Sequence, residues 1–149
     1  MDSAYFKSKG ISVTCGDLAI EHAKLCQENH LSACVTDLCE LGFKNKTFDA
    51  VWAVQCLFHI PKSVLPKALE SIQRVLKPGG LFYITVGGGK NQEEVWEDDY
   101  FNPPRFFGFR SDKTIKKTLS ERFEILSFET HPTRQKDQHQ QIILLQKAN

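Results

Sequence analysis

The sequence predicts an α/β domain of three layers, with helices packed on a mostly parallel sheet. Three observations predict it. Short β-branched or apolar runs alternate with helical stretches in the order strand, helix, strand, loop, strand, helix, strand, which implies parallel strands joined by crossover helices. Phe48-Asp49-Ala50-Val51-Trp52-Ala53-Val54 is nearly all apolar, as a strand covered on both faces reads. Downstream of it, Leu65, Leu69, Ile72 and Leu76 fall at i, i+4, i+7 and i+11, which is one stripe of a helix.

The elements follow in order. Ile11-Ser12-Val13-Thr14-Cys15 alternates and reads as a strand, ended by Gly16 and Asp17. Leu18 to Glu28 reads as a helix with Ala19, Ala23 and Cys26 on one face, closing near Asn29. Ala33 to Thr36 is a second short strand, ending at Asp37. A turn rich in Gly, Asn and Lys leads into the strand at 48–54. The helix from about Val64 to Leu76 has Ser63 as its expected N-cap and Pro66 in its first turn. Pro78-Gly79-Gly80 is expected to stop it, and Leu81 to Val86 is the next buried strand. Gly87 to Arg110 reads as a long loop, and Asp112 to Arg122 as a helix capped by Ser111. Glu124 to Phe128 and Gln141 to Gln146 read as strands that pair antiparallel at one edge, joined by an exposed polar connection over His131 to Gln140. The four strands up to Val86 are expected in one sheet.

Composition agrees with that class. The chain has 149 residues, which suits one domain, and its 41% hydrophobic and 25% charged residues are ordinary for a globular protein. Its 19 basic and 18 acidic residues leave a net charge of +1, which gives no reason to expect nucleic acid or an anionic membrane as partner. No apolar run approaches the ~18 residues of a membrane span, and the first residues lack a signal pattern. The five cysteines, Cys15, Cys26, Cys34, Cys39 and Cys56, include no Cys-x-x-Cys pair. A zinc site needs four ligands, so buried free thiols, no metal and a cytoplasmic location are expected.

Two acids carry the chemical reading. Asp17 and Asp37 follow the first two strands, and ligands of open α/β sheets bind beyond the carboxyl ends of the strands. The first acid can accept both hydroxyl protons of a ribose, and the second can accept from an exocyclic amine such as that of adenine. The alternative is that each carboxylate caps the element after it. Gly87-Gly88-Gly89-Lys90 lacks the frame of a phosphate loop. The acids after it, Glu93, Glu94, Glu97, Asp98 and Asp99, would repel phosphate, so a hinge is expected. The aromatic stretch Tyr100 to Phe109 is either a lid or part of the core, and His59 is either a base or a loop cap.

Val13-Thr14-Cys15-Gly16-Asp17-Leu18-Ala19 resembles the second-strand motif of class I, Rossmann-like S-adenosylmethionine-dependent methyltransferases. Asp37-Leu38-Cys39-Glu40-Leu41-Gly42-Phe43 resembles their third-strand motif. Phe48 to Ala53, followed by Leu57-Phe58-His59-Ile60-Pro61, resembles the fourth strand and its loop. Arg74-Val75-Leu76-Lys77-Pro78-Gly79-Gly80-Leu81-Phe82 resembles the run into the fifth. The matches keep the family's order over residues 4 to 88. The resemblance implies a three-layer Rossmann-like fold and methyl transfer from S-adenosylmethionine to a small-molecule acceptor. Transfer would be by in-line displacement, its rate gained mainly by holding the reactants together. It implies cofactor binding by Asp17 at the ribose with Leu18 beside it, by Asp37 and Leu38 at the adenine, and by Gln55 near the sulfonium; no catalytic residue is implied.

The resemblance also has departures. The family's first strand and its acidic-x-Gly-x-Gly-x-Gly loop come before these motifs, and Met1 to Lys9 corresponds only to the end of the following helix. Ala19 stands where a serine is frequent, and Gly42 where proline is. The resemblance therefore implies a domain truncated at its N-terminus, or a partner chain that supplies the strand, and weak cofactor binding by these residues alone. Two other readings stay open: a non-catalytic remnant or partner subunit, and a fragment of a nicotinamide-dependent oxidoreductase, where an acid after the second strand also holds a ribose. The run from Asp37 to Gly80 argues against the latter.

Overall fold

A computed structural model describes residues 2–135 and 137–149. Met1, in the N-terminal stretch, and Lys136, in the polar connection, lie outside the described residues. The chain divides into two compact units, Met1–Gly42 and Phe43–Asn149.

In the first unit the order is α1 (Asp2–Ser8), β1 (Thr14–Asp17), α2 (Ile20–Glu28) and β2 (Ser32–Val35). β1 and β2 pair in parallel from Thr14↔Ser32 to Asp17↔Val35, with α2 as the crossover. The first strand starts later than Ile11, and the end of α1 is the reason. Gly10 sits at φ +78°, Gly10 N–H bonds Lys7 O at 3.0 Å, and Ile11 N–H bonds Phe6 O at 3.1 Å. That is a helix-terminating pair of bonds around a left-handed residue, so Ile11 still belongs to the cap of α1. α2 ends the same way: His30 at φ 58° bonds Gln27 O at 2.8 Å, and the Leu31 N–H bonds Cys26 O at 3.0 Å. Ala23 and Leu31, only 5% and 4% exposed, are the buried apolar side chains that α2 and the turn after it contribute.

In the second unit the order is β3 (Phe48–Val54), a 3-10 turn (Leu57–His59), α3 (Leu65–Val75), β4 (Leu76–Gly88), β5 (Gln92–Val95), β6 (Phe106–Phe109), α4 (Asp112–Ser120), β7 (Glu124–Pro132) and β8 (His139–Gln146). The main sheet has the order β3-β4-β8-β7. β3 and β4 are parallel, while β8 pairs antiparallel with both β4 and β7. The four strands expected in one sheet thus fall in two, β1 with β2 and β3 with β4. β3 is an outer strand of its sheet, and Trp52 and Val54 on it are exposed, with Trp52 stacked on Tyr83 at 3.9 Å. Cover on both faces, which the apolar run predicts, does not hold for the described residues.

The helical stripe is where the sequence places it. Leu65, Ala68, Leu69, Ile72 and Val75 are all 2% exposed or less. They share the core of this unit with Phe82, Ile84 and Val86 of β4 and Ile143 and Leu145 of β8, all equally dry. Ser63 does not cap α3. The N–H groups of Val64 and Leu65 both bond Pro61 O at 2.9 Å, so the chain turns earlier and a backbone carbonyl organises the start. Pro78-Gly79-Gly80 does not separate helix from strand either. β4 begins at Leu76, opposite Phe48, and absorbs the interruption as a register shift between Phe48 and Ala50.

The expected loop from Gly87 to Arg110 contains a hairpin, β5 against β6, from Gln92↔Phe109 to Val95↔Phe106. Its cause is non-local: Phe107 stacks on Trp96 at 4.0 Å and lies 5.4 Å from Phe58, contacts that periodicity cannot report. The glycine run is not a hinge. Gly87 and Gly88 complete β4, and Gly88 is buried. The closing strands pair antiparallel as expected, but the ladder runs on to Pro132↔His139 and shortens the polar connection. Ser111 caps α4 as expected, its Oγ accepting the Thr114 N–H at 3.3 Å.

Candidate functional site

β1 and β2 run in parallel, so their carboxyl ends lie together, and Thr36 N–H bonds Asp17 O at 3.0 Å across that end. Asp17 and Asp37 therefore leave the same end of one two-stranded sheet. Both are exposed. Asp17 Oδ1 accepts the Ala19 N–H at 2.8 Å, and its Oδ2 lies 3.1 Å from His22 Nδ1. Asp37 Oδ1 accepts the Cys39 N–H at 2.7 Å. Each carboxylate thus caps the chain after it, yet a carboxylate has about four acceptor sites, so both keep capacity for a ligand. Leu18, 69% exposed, extends beside Asp17 and offers a flat apolar contact at this end. Leu38 is half-buried in the turn that Asp37 holds. These four residues suit the nucleoside part of S-adenosylmethionine in kind: acceptors for hydroxyls and an amine, and apolar surface for a base.

Gln55 belongs to the other unit. It follows β3 at φ 56°, and its N–H bonds Thr85 O at 3.1 Å and Thr85 Oγ1 at 3.2 Å. This left-handed step turns the chain off the sheet and leaves the Gln55 side chain exposed at the carboxyl end of β3. His59 ties the 3-10 turn to the hairpin. Its Nδ1 bonds Phe106 O at 2.8 Å, and because a carbonyl only accepts, Nδ1 carries the hydrogen. The ring is wedged between Phe58 and Phe107, at 4.2 and 4.8 Å. That is the geometry of a loop cap.

The second half of the aromatic stretch takes the core role. Phe107 and Phe109 are 5% and 7% exposed and pack inside the unit, while Tyr100 and Phe101 are exposed near the hairpin tip. There Asp99, 1% exposed at its side chain, takes both Nε and Nη2 of Arg105, at 2.7 and 3.0 Å. The Arg105 guanidinium holds the Asp99 carboxyl down to about 2.

A buried polar cluster joins the end of β6, the start of α4 and β8, and the sequence does not announce it. Gln141, fully buried, donates from Nε2 to Asp112 Oδ1 at 2.7 Å and to Arg110 O at 2.9 Å. His139 Nε2 meets the same Asp112 oxygen at 2.7 Å. Burial opposes ionisation of Asp112, but the hydrogen bonds from Gln141 and His139 outweigh it and hold the carboxyl below its usual range. Arg110 is 5% exposed and donates to Gly108 O at 2.9 Å and Ile60 O at 2.7 Å. The signal available in the sequence is one arginine closing an aromatic run, Phe106-Phe107-Gly108-Phe109-Arg110. The five cysteines are free thiols, but each is half-buried rather than buried as expected. Among the described residues, no group of three His, Cys, Asp or Glu could hold a metal ion, and no helix is long and apolar enough to cross a membrane.

The fold is that of solved S-adenosylmethionine-dependent methyltransferases. It superposes on one from Methanosarcina mazei with a TM-score of 0.86, at 20% identity, over 98% of this chain and 86% of that one. It superposes on the Burkholderia thailandensis 1,6-didemethyltoxoflavin-N1-methyltransferase, solved with 1,6-didemethyltoxoflavin and S-adenosylhomocysteine bound, with a TM-score of 0.79. That match has 22% identity and covers 99% of this chain and 66% of the other. The methyltransferase-domain family model matches residues 2–84, more than half of the chain. The chain belongs to this family, the class I methyltransferases, whose cofactor is S-adenosylmethionine. Among curated relatives, the sterol 4-C-methyltransferase of Caenorhabditis elegans is 34% identical over 92 residues, which are 56% of this chain and 26% of that enzyme. The squalene methyltransferase 1 of Botryococcus braunii is 48% identical over 48 residues, 32% of this chain and 12% of that enzyme. The matched stretch thus spans about a quarter or less of these relatives.

Proposed function

We propose that this chain takes part in methyl transfer from S-adenosylmethionine to a small-molecule acceptor, and that Asp17, Leu18, Asp37, Leu38 and Gln55 bind the cofactor. The observation that carries the reading is the pair of exposed carboxylates at the shared carboxyl end of β1 and β2, inside the stretch matched by the family model. Names of relatives, a sterol and a squalene methyltransferase, support an acceptor of small-molecule size. When bound, the cofactor supplies a methyl group on a sulfonium, whose leaving group is a neutral thioether. Asp17 accepts from the two ribose hydroxyls with the lone pairs that Ala19 and His22 leave free. Asp37 accepts from the adenine amine, and Leu18 and Leu38 flank the base. Gln55, at the carboxyl end of β3 in the second unit, is the residue that the family resemblance assigns to the sulfonium side. The protein's share of the rate is orientation, since an in-line approach needs the two reactants held in register.

The test is Asp17→Asn, titrated with S-adenosylhomocysteine by calorimetry. The variant keeps one oxygen for the Ala19 N–H and loses the charge. Charge-assisted hydrogen bonds contribute about 1.5–3 kcal/mol each, so losing the value of one weakens binding by about 10- to 150-fold. Unchanged affinity, with the circular dichroism of the native chain, removes Asp17 from the site.

A further inference from the structure

Three of the five cysteines stand on β1, α2 and β2, and the register of the two strands sorts them. Cys15 on β1 pairs with Ala33 on β2, and Gly16 pairs with Cys34. Paired residues of parallel strands point to one face of the sheet, and successive residues to opposite faces. Cys15 and Cys34 therefore lie on opposite faces. α2, the crossover from β1 to β2, covers one of them. Its buried residue Ala23 and Cys26 are three positions apart and share one side of the helix. That side lies on the face of Cys15, because the Cys26 thiol meets the Cys15 thiol. The Cys34 thiol instead donates to a backbone oxygen, that of Cys15, at 3.9 Å.

Cys15 and Cys26 are thus two thiols in contact, one on a strand and one on the helix packed over it. Each is half-buried, within reach of a small reagent. A disulfide holds its sulfur atoms about 2.05 Å apart and its Cβ atoms about 3.5–4.5 Å apart. Thiols already in contact approach that geometry by side-chain rotation. Burial, and after it the neighbouring Cys15 thiol and the Asp17 carboxylate, push the Cys26 thiol above its ordinary value. The thiolate is the form that attacks a disulfide, so Cys26 is a poor attacker of a reagent in solution. It attacks well only a sulfur held beside it.

We propose that Cys15 and Cys26 are a reversible dithiol–disulfide pair, closed by a small disulfide such as oxidised glutathione, and that the bridge ties α2 to β1 two residues before Asp17. The Cys15 sulfur attacks the small disulfide, forms a mixed disulfide and releases one glutathione. Cys26 then loses its proton to solvent and attacks the Cys15 sulfur, and the second glutathione leaves. The two protein thiols give up two electrons and two protons, and one glutathione disulfide becomes two glutathione thiols. The pair stands apart from the methyl-transfer reading, which uses neither thiol, so a failure at Asp17 leaves it untouched.

The test incubates the native chain with oxidised glutathione, blocks the remaining thiols and maps the cysteines by mass spectrometry. Cleavage after Lys, Arg and Glu should yield peptide 10–21 joined to peptide 25–28, two hydrogens lighter than the two together. Dithiothreitol should separate them again. Cys26→Ser should instead keep one glutathione on Cys15, and Cys34→Ser should close the bridge as the native chain does. If Cys26→Ser fails to fold, the peptide map of the native chain decides. Cys15 and Cys26 both recovered as thiols, either of them carrying glutathione in the native chain, or Cys15 bridged to another cysteine would overturn the proposal.

Discussion

Gly88→Ala is the sharpest perturbation the structure offers. A Cβ placed on Gly88 would lie 2.5 Å from His139 Nε2, 2.6 Å from Gln141 Nε2 and 2.7 Å from Gln141 Cδ. Real Cβ atoms do not approach that closely, so one of three things must move. Gln141 is fully buried and anchored by its two bonds to Asp112 and Arg110, and His139 is held on the same Asp112 oxygen. The third option is to part β4 from β8 where Gly88 pairs with His139. Inserting one methyl group into a packed interior costs about 1–3 kcal/mol, and a lost hydrogen bond to a charged group costs about 1.5–3 kcal/mol. The two are alternatives in part, so the expectation is about 2–4 kcal/mol, a fall in Tm of about 5–15 °C for a chain of this size. Urea and thermal unfolding followed by far-ultraviolet circular dichroism measure it. Gly42→Ala is the control: a Cβ there meets nothing within 4 Å, and the change should stay within about 0.5 kcal/mol. A Gly88→Ala protein within about 0.5 kcal/mol of the native chain would refute the close-packed account of this strand end.

Two further outcomes follow from the interior and from the hairpin. Ile72 on α3 is 0% exposed, so Ile72→Ala should cost about 2–5 kcal/mol in urea unfolding. Asp99 is held near pKa 2 by Arg105, against about 3.9 in an unfolded chain. Its contribution to stability is therefore complete above about pH 4 and disappears as the pH falls through about 2. Asp99→Asn should remove that part of the acid dependence, which a series of unfolding curves between pH 2 and 5 would register.

What the sequence makes legible is whatever local chemistry decides. The Leu65, Leu69 and Ile72 stripe predicts α3 because burial alone sets its period, and Phe48–Val54 is a strand at both of its predicted ends. Ser111 caps α4 because its hydroxyl needs only the N–H three residues on. The acids at the ends of the first two strands are legible for the same reason, since an acid after a strand sits where the strand stops. Local expectation fails where a backbone group takes over a role the side chain was expected to play. Pro61 O displaces Ser63 at the start of α3, and the cap of α1 consumes Ile11. It fails most where distant residues meet. The β5–β6 hairpin depends on Phe58 and Trp96 against Phe107, and the Arg110, Asp112, His139 and Gln141 cluster gathers groups up to 31 positions apart. No period in the sequence encodes either.

The position of β8 between β4 and β7 has a consequence for the making of the protein. β4 obtains its parallel neighbour at once, because β3 and α3 precede it directly, but its other edge waits for His139–Gln146. About 50 residues separate Gly88 from His139. At a translation rate of about 5–20 residues per second, the free edge of β4 and its dry side chains stay uncovered for about 3–10 seconds on the ribosome. An open apolar strand edge is a template for pairing with another chain. The nascent second unit is thus most vulnerable to aggregation in that interval, and the β5–β6 hairpin, made first in it, is the earliest local structure able to shield the end of β4.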